Sequence, residues 1–237
     1  MEKTINAAMF LLFTYPFGVF VGITFWLFRL LSIAKVQGWE NFPSWRPGVL
    51  VVSNHPSLLE PIILTGMFFH EFLFRPFKYA PWNMAEIKNF GGLLFRLFRT
   101  RMILVKRGDR PSEVRALKQA REILQSGGAM ILFPEGGRTS SGGSFLFSES
   151  GKKKIREFRG GFAWLAKKTG ATVLPVWVEG TDRVLPNTNR ITYRHLKFWK
   201  RVVIKLGRPL HFESEDLDEI TRTVEAVVLK LADQPDD

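Results

Sequence analysis

Short apolar runs alternate with amphipathic segments along this 237-residue chain, and this alternation most constrains its fold. Runs of four to eight apolar residues predict buried strands, whereas apolar residues recurring every three or four positions predict helices. The predicted strands are residues 49–53, 102–105, 129–133, 172–178 and 202–206. The predicted helices are residues 62–72, 85–97, 111–125, 162–169 and 217–231, and residues 35–47 predict a linker. Alternation of this kind predicts an α/β fold, a mainly parallel sheet flanked by helices on both faces.

The N-terminal segment is apolar and contains no charged residue over residues 7–28. As a helix it would be about 33 Å long at 1.5 Å per residue, which is enough to cross a bilayer. Because Pro16 and Gly22 interrupt the run, a bent pair of short helices dipping into one leaflet is a second interpretation, and a buried core helix is a third. We predict a membrane-associated helix or bent helical pair at residues 1–34 and an α/β domain at residues 35–237, on the cytoplasmic side.

The charge balance predicts a polyanionic partner. Thirty-four Lys and Arg against 22 Asp and Glu give a net charge of +12, which suits nucleic acid, an anionic membrane surface or a phosphorylated small molecule. The 22 Phe and 7 Trp, often beside basic residues, favour a membrane interface, so no nucleic-acid partner is predicted. The absence of cysteine excludes thiolate nucleophiles, disulfides and Cys-ligated metals.

A histidine and a carboxylate, His55 and Glu60, flank a predicted turn directly after the first predicted strand, where α/β folds place ligands. A carboxylate on one imidazole nitrogen fixes the tautomer and leaves the other nitrogen free to accept a hydroxyl proton. The same spacing has a structural interpretation, because Ser57-x-x-Glu60 is also a capping box, in which Glu60 would only begin a helix. The local sequence leaves both interpretations open.

A second polar loop, residues 133–139 with the sequence Phe-Pro-Glu-Gly-Gly-Arg-Thr, follows another predicted strand. Both loops are therefore expected at the same edge of the sheet. Gly136 and Gly137 would let backbone N–H groups approach an anion, and Arg138 would offer a bidentate fork for phosphate. An ordinary glycine-rich turn with a solvated arginine is the alternative. The chain lacks the Walker and dinucleotide-binding glycine patterns, which disfavours nucleotide hydrolysis and dinucleotide binding.

Four segments, taken in order, resemble the glycerolipid acyltransferase family, which includes the 1-acyl-sn-glycerol-3-phosphate acyltransferases. The family motif Asn-His-x-x-x-x-Asp is similar to residues 54–60, and a strand ending in arginine is similar to residues 103–107. The motif Phe-Pro-Glu-Gly-Thr-Arg-Ser is similar to residues 133–139, and a Pro-Val strand is similar to residues 174–176. The likeness runs from about residue 48 to residue 186, and its ordered recurrence is more specific than any one motif.

The resemblance implies a reaction and a site. By this resemblance His55, held by Glu60, deprotonates the free hydroxyl of a lysophospholipid, which then attacks the thioester of acyl-CoA or acyl carrier protein to give phosphatidic acid. It implies an acceptor phosphate and glycerol site formed by Arg107, Glu135, Gly136 and Arg138. Neither a metal nor a cofactor beyond these co-substrates is implied. A different lysolipid or amino-acid lipid acceptor, and a non-catalytic anionic-lipid-binding protein, remain as alternatives.

The sequence departs from the family pattern at three places. Glu60 stands where the family usually has Asp, and Gly137 and Thr139 stand where it has Thr and Ser. Residues 141–155, with three consecutive lysines, look like an extended lid or membrane-contact loop. These departures bear on substrate identity more than on the type of reaction.

Overall fold

A single mixed sheet is the centre of the computed structural model, which describes residues 2–43, 48–90, 99–187, 196–213 and 215–236. The strands in these ranges are β1 (Ala34–Gln37), β2 (Val49–Ser53), β3 (Trp82–Glu86), β4 (Met102–Val105), β5 (Ala129–Leu132), β6 (Phe145–Phe147), β7 (Lys154–Arg156), β8 (Thr172–Glu179) and β9 (Val202–Leu206). Seven of them form the sheet in the order β1-β9-β8-β2-β5-β3-β4, and β6 pairs only with β7. Neighbouring strands of the sheet are parallel except β8 and β9, which confirms the predicted mainly parallel sheet.

Helices cover both faces of the sheet, as predicted. They are α1 (Glu2–Met9), α2 (Tyr15–Leu30), α3 (Glu60–Met67), α4 (Phe69–Phe74), α5 (Pro76–Tyr79), α6 (Ile87–Phe90), α7 (Arg110–Gln125), α8 (Gly161–Thr169), α9 (Thr181–Val184) and α10 (Leu217–Asp233). Side chains alternate between the two faces of a strand, so Leu50 packs in the core under α7, α8 and α10, while Val51 packs in the core under α2, α3 and α4. Strands β5, β2 and β8 are parallel neighbours, so their carboxyl ends lie at the same edge of the sheet.

Two sequence predictions are wrong at their starts. The linker predicted at residues 35–47 begins with edge strand β1, which pairs in parallel with β9. The helix predicted at residues 85–97 begins inside β3, which lies between β5 and β4; residues 87–90 are helical, and residues 91–97 lie outside the described part of the chain. Both strands are short and carry polar side chains, so the pairing with neighbouring strands, rather than an apolar run, determines their conformation.

Smaller differences affect two other segments. The helix predicted at residues 62–72 is two helices, α3 and α4, which meet at Phe68. The segment predicted as an extended loop, residues 141–155, contains most of the antiparallel hairpin β6–β7, whose register aligns Leu146 with Ile155. Ile155 is fully buried in the core, so this hairpin is attached to the body of the protein.

The N-terminal helix is continuous from Glu2 to Leu30, with a π-helical turn at residues 10–14 directly before Pro16. A π-helical turn leaves the backbone hydrogen bonding locally loose, and this accommodates a residue that lacks an N–H group. Residues 6–30 are long and apolar enough to cross a membrane by length and composition alone. One side of α2 packs against α3, where Phe25 and Gly66 are in close contact.

We expect Gly22→Ala to destabilise the fold by disturbing the packing of α2 against Phe69 of α4. A Cβ atom at Gly22 would lie 2.2 Å from Cδ2 of Phe69 and 2.8 Å from its Cβ, so Phe69 must move. Such overpacking costs about 1–3 kcal/mol, against a gain of about 1 kcal/mol in helix propensity. Gly18→Ala is the matched control, because its Cβ would lie 3.5 Å from Phe72, an ordinary contact. Thermal unfolding should show a lower Tm for Gly22→Ala than for Gly18→Ala; equal values would contradict the close packing.

Candidate active site

The chain leaves β2 through a buried asparagine that binds the neighbouring strand. Asn54 donates from Nδ2 to the backbone oxygen of Val178 (2.8 Å) and accepts at Oδ1 from the Val178 N–H group (2.7 Å). Through these two bonds the Asn54 side chain holds the end of β2 against β8. They fix the point at which the next residue leaves the sheet. That next residue is His55, so Asn54 sets the position from which the imidazole projects.

A histidine–carboxylate pair stands at this edge of the sheet. Nδ1 of His55 lies 2.7 Å from Oε2 of Glu60, whose side chain is fully buried, while the His55 side chain is 12% exposed. The ring of Phe133 stacks on the imidazole with centroids 4.4 Å apart. Two sides of the imidazole are therefore fixed, and Nε2 has no hydrogen-bond partner among the described residues.

The other carboxylate oxygen of Glu60 binds the turn before α3. Oε1 accepts from the backbone N–H and the hydroxyl of Ser57, each at 3.0 Å, and from the hydroxyl of Thr181. One oxygen of Glu60 thus contacts His55, and the other makes half of the predicted capping box, the bond from the Ser57 N–H group. The reciprocal bond of a capping box is absent from the described residues, because the Ser57 hydroxyl accepts from the Leu59 N–H group and α3 begins at Glu60 itself. Thr181, at the start of α9 directly after β8, was not predicted as a site residue; its only sequence signal is a polar side chain following a predicted strand.

Glu135 joins the two loops that were expected at one edge of the sheet. Its carboxylate accepts from the N–H group of His55 (2.8 Å), the hydroxyl of Thr139 (2.8 Å) and the N–H group of Arg156 (3.1 Å). Burial raises the pKa of Glu135, and the hydrogen bonds from Arg156, His55 and Thr139 oppose this rise. The Glu135 side chain is buried in protein contacts, and Thr139 also donates from its N–H group to the His55 oxygen (2.9 Å).

Arg107 reaches the glycine-rich loop from the end of β4. Its Nη1 donates to the backbone oxygen of Gly136, and its Nε lies 3.3 Å from Oε2 of Glu86. Burial lowers the pKa of Arg107; Glu86 opposes this, and the nearby Arg159 and Arg156 charges lower it further. Gly136 has a φ of +67°, a conformation that favours glycine.

Arg138 contacts a different part of the edge. Its Nη1 donates to Oδ1 of Asn187 (3.0 Å), and Asn187 in turn donates from Nδ2 to the backbone oxygen of Pro56 (2.6 Å). Arg138 is therefore connected to the loop of His55 through an exposed asparagine that the sequence did not single out. The structure brings His55 into direct contact with Glu60 and with Glu135, and Arg107 into contact with Gly136.

A cavity of about 320 Å³ opens beside Gly136 and Arg107. Its walls are mainly apolar, with two arginines among them; it is lined by Met84, Val105, Arg107, Leu117, Leu132, Phe133, Arg159 and Phe162, among others. An apolar pocket with cationic groups matches a molecule that has both an apolar part and an anionic part.

The fold and the site define a class: an α/β protein with a carboxylate-oriented histidine at the carboxyl edge of a parallel sheet, next to guanidinium groups. The comparisons with known proteins agree with that class. The chain belongs to the acyltransferase family, because the family model described as Acyltransferase matches residues 33–179.

Two relatives within this family are 1-acyl-sn-glycerol-3-phosphate acyltransferases. The chain is 28% identical over 183 residues to a chloroplastic 1-acyl-sn-glycerol-3-phosphate acyltransferase of Arabidopsis thaliana, covering 77% of this chain and 45% of that protein. It is 29% identical over 214 residues to the 1-acyl-sn-glycerol-3-phosphate acyltransferase of Pseudomonas aeruginosa, covering 86% of this chain and 71% of that protein. The chain spans less than half the length of the plant and algal relatives it matches.

A solved structure supports the fold. The crystal structure of a 1-acyl-sn-glycerophosphate acyltransferase from Thermotoga maritima superposes with a TM-score of 0.62 at 24% identity. The match covers 94% of this chain and 81% of the other. At this identity the likeness is one of fold.

Proposed function

We propose that this protein is a membrane-associated acyltransferase that moves a fatty acyl group from acyl-CoA or acyl carrier protein to the free hydroxyl of a lysophospholipid. The acceptor we favour is 1-acyl-sn-glycerol 3-phosphate, with phosphatidic acid as product. The observation that carries this proposal is the contact of 2.7 Å between His55 Nδ1 and the buried Glu60 carboxylate, because it leaves Nε2 to act as a base.

The chemistry needs one base and correct positioning. With ionised Glu60 accepting from Nδ1–H, Nε2 of His55 accepts the proton of the acceptor hydroxyl as its oxygen attacks the thioester carbonyl. The new C–O bond forms, the C–S bond breaks as the tetrahedral intermediate collapses, and the imidazolium returns its proton to the leaving thiolate. A thioester is already activated, so no acyl-enzyme intermediate is required.

The roles of the remaining predicted residues follow from their contacts. Arg107 and Gly136 stand beside the cavity and would meet the acceptor phosphate. The Glu135 carboxylate is 1% exposed and accepts three protein hydrogen bonds, so we assign it a positioning role for the His55 loop. Arg138 is half-buried at the same edge and would contact the polar part of the acceptor if Asn187 releases it.

A membrane surface would meet the outer side of the N-terminal helix. Several large apolar residues there are exposed: Leu12 (69%), Phe20 (65%), Ile23 (55%), Leu27 (48%) and Leu30 (81%). The inner side, with Val21 and Phe25, is buried against the body. Because the helix is packed along one side, we propose that it lies in the interface of one leaflet, with the basic domain on the cytoplasmic side.

The exposed side of the helix yields a prediction about membrane binding. We expect Phe20→Asp to weaken binding to anionic phospholipid vesicles by at least about tenfold, since one large apolar side chain contributes about 1.5–3 kcal/mol when it is buried in lipid. Val114→Asp is the matched control, because Val114 is 43% exposed on α7, across the sheet. Vesicle sedimentation measures both variants. Unchanged binding by Phe20→Asp would show that the membrane meets another surface.

Transfer of a labelled acyl group tests the proposed reaction. The full chain in detergent is given acyl-CoA or acyl carrier protein as donor, and 1-acyl-sn-glycerol 3-phosphate as acceptor. Formation of labelled phosphatidic acid supports the reaction, and the donor comparison identifies the carrier. If no product forms with this acceptor or with a panel of other lysolipids, the acyltransferase proposal fails and the lipid-binding alternative is favoured.

A further inference from the structure

Three guanidinium groups converge on the two glycines of the loop after β5. A Cβ atom at Gly137 would lie 2.8 Å from Nη1 of Arg156 and 3.7 Å from Nη1 of Arg107. A Cβ atom at Gly136 would lie 2.6 Å from Nε of Arg159. Arg107 follows β4, Arg156 ends β7 and Arg159 precedes α8. The tertiary fold, not the local sequence, therefore brings the three side chains together.

The cluster has more positive than negative charge. Two carboxylates stand near three guanidinium groups: Glu86 lies 3.3 Å from Nε of Arg107, and Glu113 lines the same cavity. Among the residues that the structure describes, neither Arg156 nor Arg159 has a carboxylate within ion-pair distance, and Nε of Arg156 is buried without a hydrogen-bond partner. Like charges this close repel one another, so an anion bound between them would remove a repulsion and satisfy unused donors.

Arg156 also belongs to the site of His55 through the backbone. The Glu135 carboxylate accepts from the N–H group of Arg156 at one oxygen and from the N–H group of His55 at the other. One side chain therefore separates the two backbones. The strand that carries Arg156 is therefore fixed to the loop that carries His55 by the Glu135 carboxylate.

The position of the Arg156 guanidinium depends on the absence of a side chain at Gly137. The family pattern has threonine at this position, whereas the Arg156 guanidinium here occupies the space that a side chain at residue 137 would need. Gly143 has the same relation to Arg156, since its Cβ would lie 3.1 Å from Nε. Gly137 and Gly143 thus leave the volume in which the Arg156 guanidinium lies.

We propose that Arg156, together with Arg107 and Arg159, binds a phosphate monoester dianion of the acceptor headgroup. The glycine at position 137 leaves the space that the Arg156 side chain occupies. This inference rests on the proposed function, because it assigns a specificity residue to the same site. Three guanidinium groups suit a terminal phosphate with two negative charges better than a phosphodiester or a zwitterionic headgroup. The acceptor preferred by this chain should therefore carry an unsubstituted phosphate.

The test compares Arg156→Gln and Gly137→Thr with wild type, using Arg115→Gln as a control because Arg115 is an exposed arginine on α7. We expect both test variants to raise KM for lysophosphatidic acid by about tenfold to a hundredfold, with kcat nearly unchanged, since the lost contact is made before and during the reaction. KM for lysophosphatidylcholine should stay constant, so selectivity falls. Arg156→Lys should restore part of the affinity, and Arg115→Gln should match wild type.

Other outcomes would overturn the inference. An unchanged KM for lysophosphatidic acid in Arg156→Gln removes the assignment, and a raised KM for acyl-CoA alone moves the anion site to the donor. A lower kcat with every acceptor would indicate a purely structural role.

A binding measurement separates this inference from the proposed reaction. Calorimetric titration of short-chain lysophosphatidic acid into the folded 237-residue chain should show weaker binding by Arg156→Gln and by Gly137→Thr than by wild type and Arg115→Gln. If wild type binds this probe through Arg156 but transfers no acyl group, the proposed acyl transfer is contradicted and the proposed phosphate site is supported. If wild type transfers acyl groups and Arg156→Gln binds the probe as tightly as wild type, the proposed acyl transfer is supported and the proposed phosphate site is contradicted.

Discussion

His55→Ala is expected to reduce acyl transfer by about 10²–10⁴-fold in kcat, the range that a positioned general base contributes. The imidazole is held on one side by Glu60 at 2.7 Å and on another by the ring of Phe133. Alanine removes the base and leaves the acceptor to lose its proton to water. Because the arginines and the cavity are unchanged, KM for the acceptor should change little. Steady-state transfer from acyl-CoA to lysophosphatidic acid measures both constants.

A second histidine provides the control for this experiment. His211 is exposed outside the site, so His211→Ala should keep the wild-type rate. Circular dichroism and the Tm establish that His55→Ala remains folded, which is expected because its side chain makes one polar contact within the described residues. Transfer by folded His55→Ala at the wild-type rate would mean that another group, or the substrate itself, takes the proton.

The fold was predictable wherever a strand is buried on both faces. Strands β2 and β9 are buried over all five residues and are apolar except for Ser53 and Lys205, and the sequence predicts both at their observed bounds. Strand β3, with the sequence Trp-Asn-Met-Ala-Glu, is only half-buried and contains no β-branched residue, so local propensity favours a helix there. Its pairing with β4 and β5 reverses that preference, and this information is not local.

The site was predictable to the extent that its residues are close in sequence. His55 and Glu60 are five residues apart, and the turn between them allows the contact to be expected. Thr181 lies 121 residues from Glu60 and enters the site because β8 is the neighbour of β2 in the sheet. Arg156 lies 101 positions from His55 (156 − 55) and enters it through the β6–β7 hairpin, which is separate from the main sheet. Sequence motifs identify the first pair; only the topology identifies the other two.

Glu60 is the residue at which the catalytic and structural interpretations can be separated by experiment. We expect Glu60→Gln to lower kcat by about 10²–10³-fold, because the amide NH₂ group can donate to Nδ1, which places the imidazole proton on Nε2, where the base is needed. Glu60→Asp should retain more activity, since a carboxylate remains, but a side chain one methylene shorter cannot keep both its His55 and its Ser57 contacts. A fall of about tenfold is therefore expected for Glu60→Asp.

The two interpretations predict different pairs of measurements for Glu60→Gln. If Glu60 only begins α3, the variant loses stability through its Ser57 and Thr181 contacts and retains its kcat. If Glu60 orients His55, kcat falls in protein that is still folded at the assay temperature. Glu40→Gln, an exposed change of the same chemistry, should alter neither quantity. Because each carboxylate oxygen of Glu60 has its own partners, we expect a lower Tm together with the loss of kcat, and a wild-type kcat in this variant would assign the proton transfer to a histidine that needs no carboxylate.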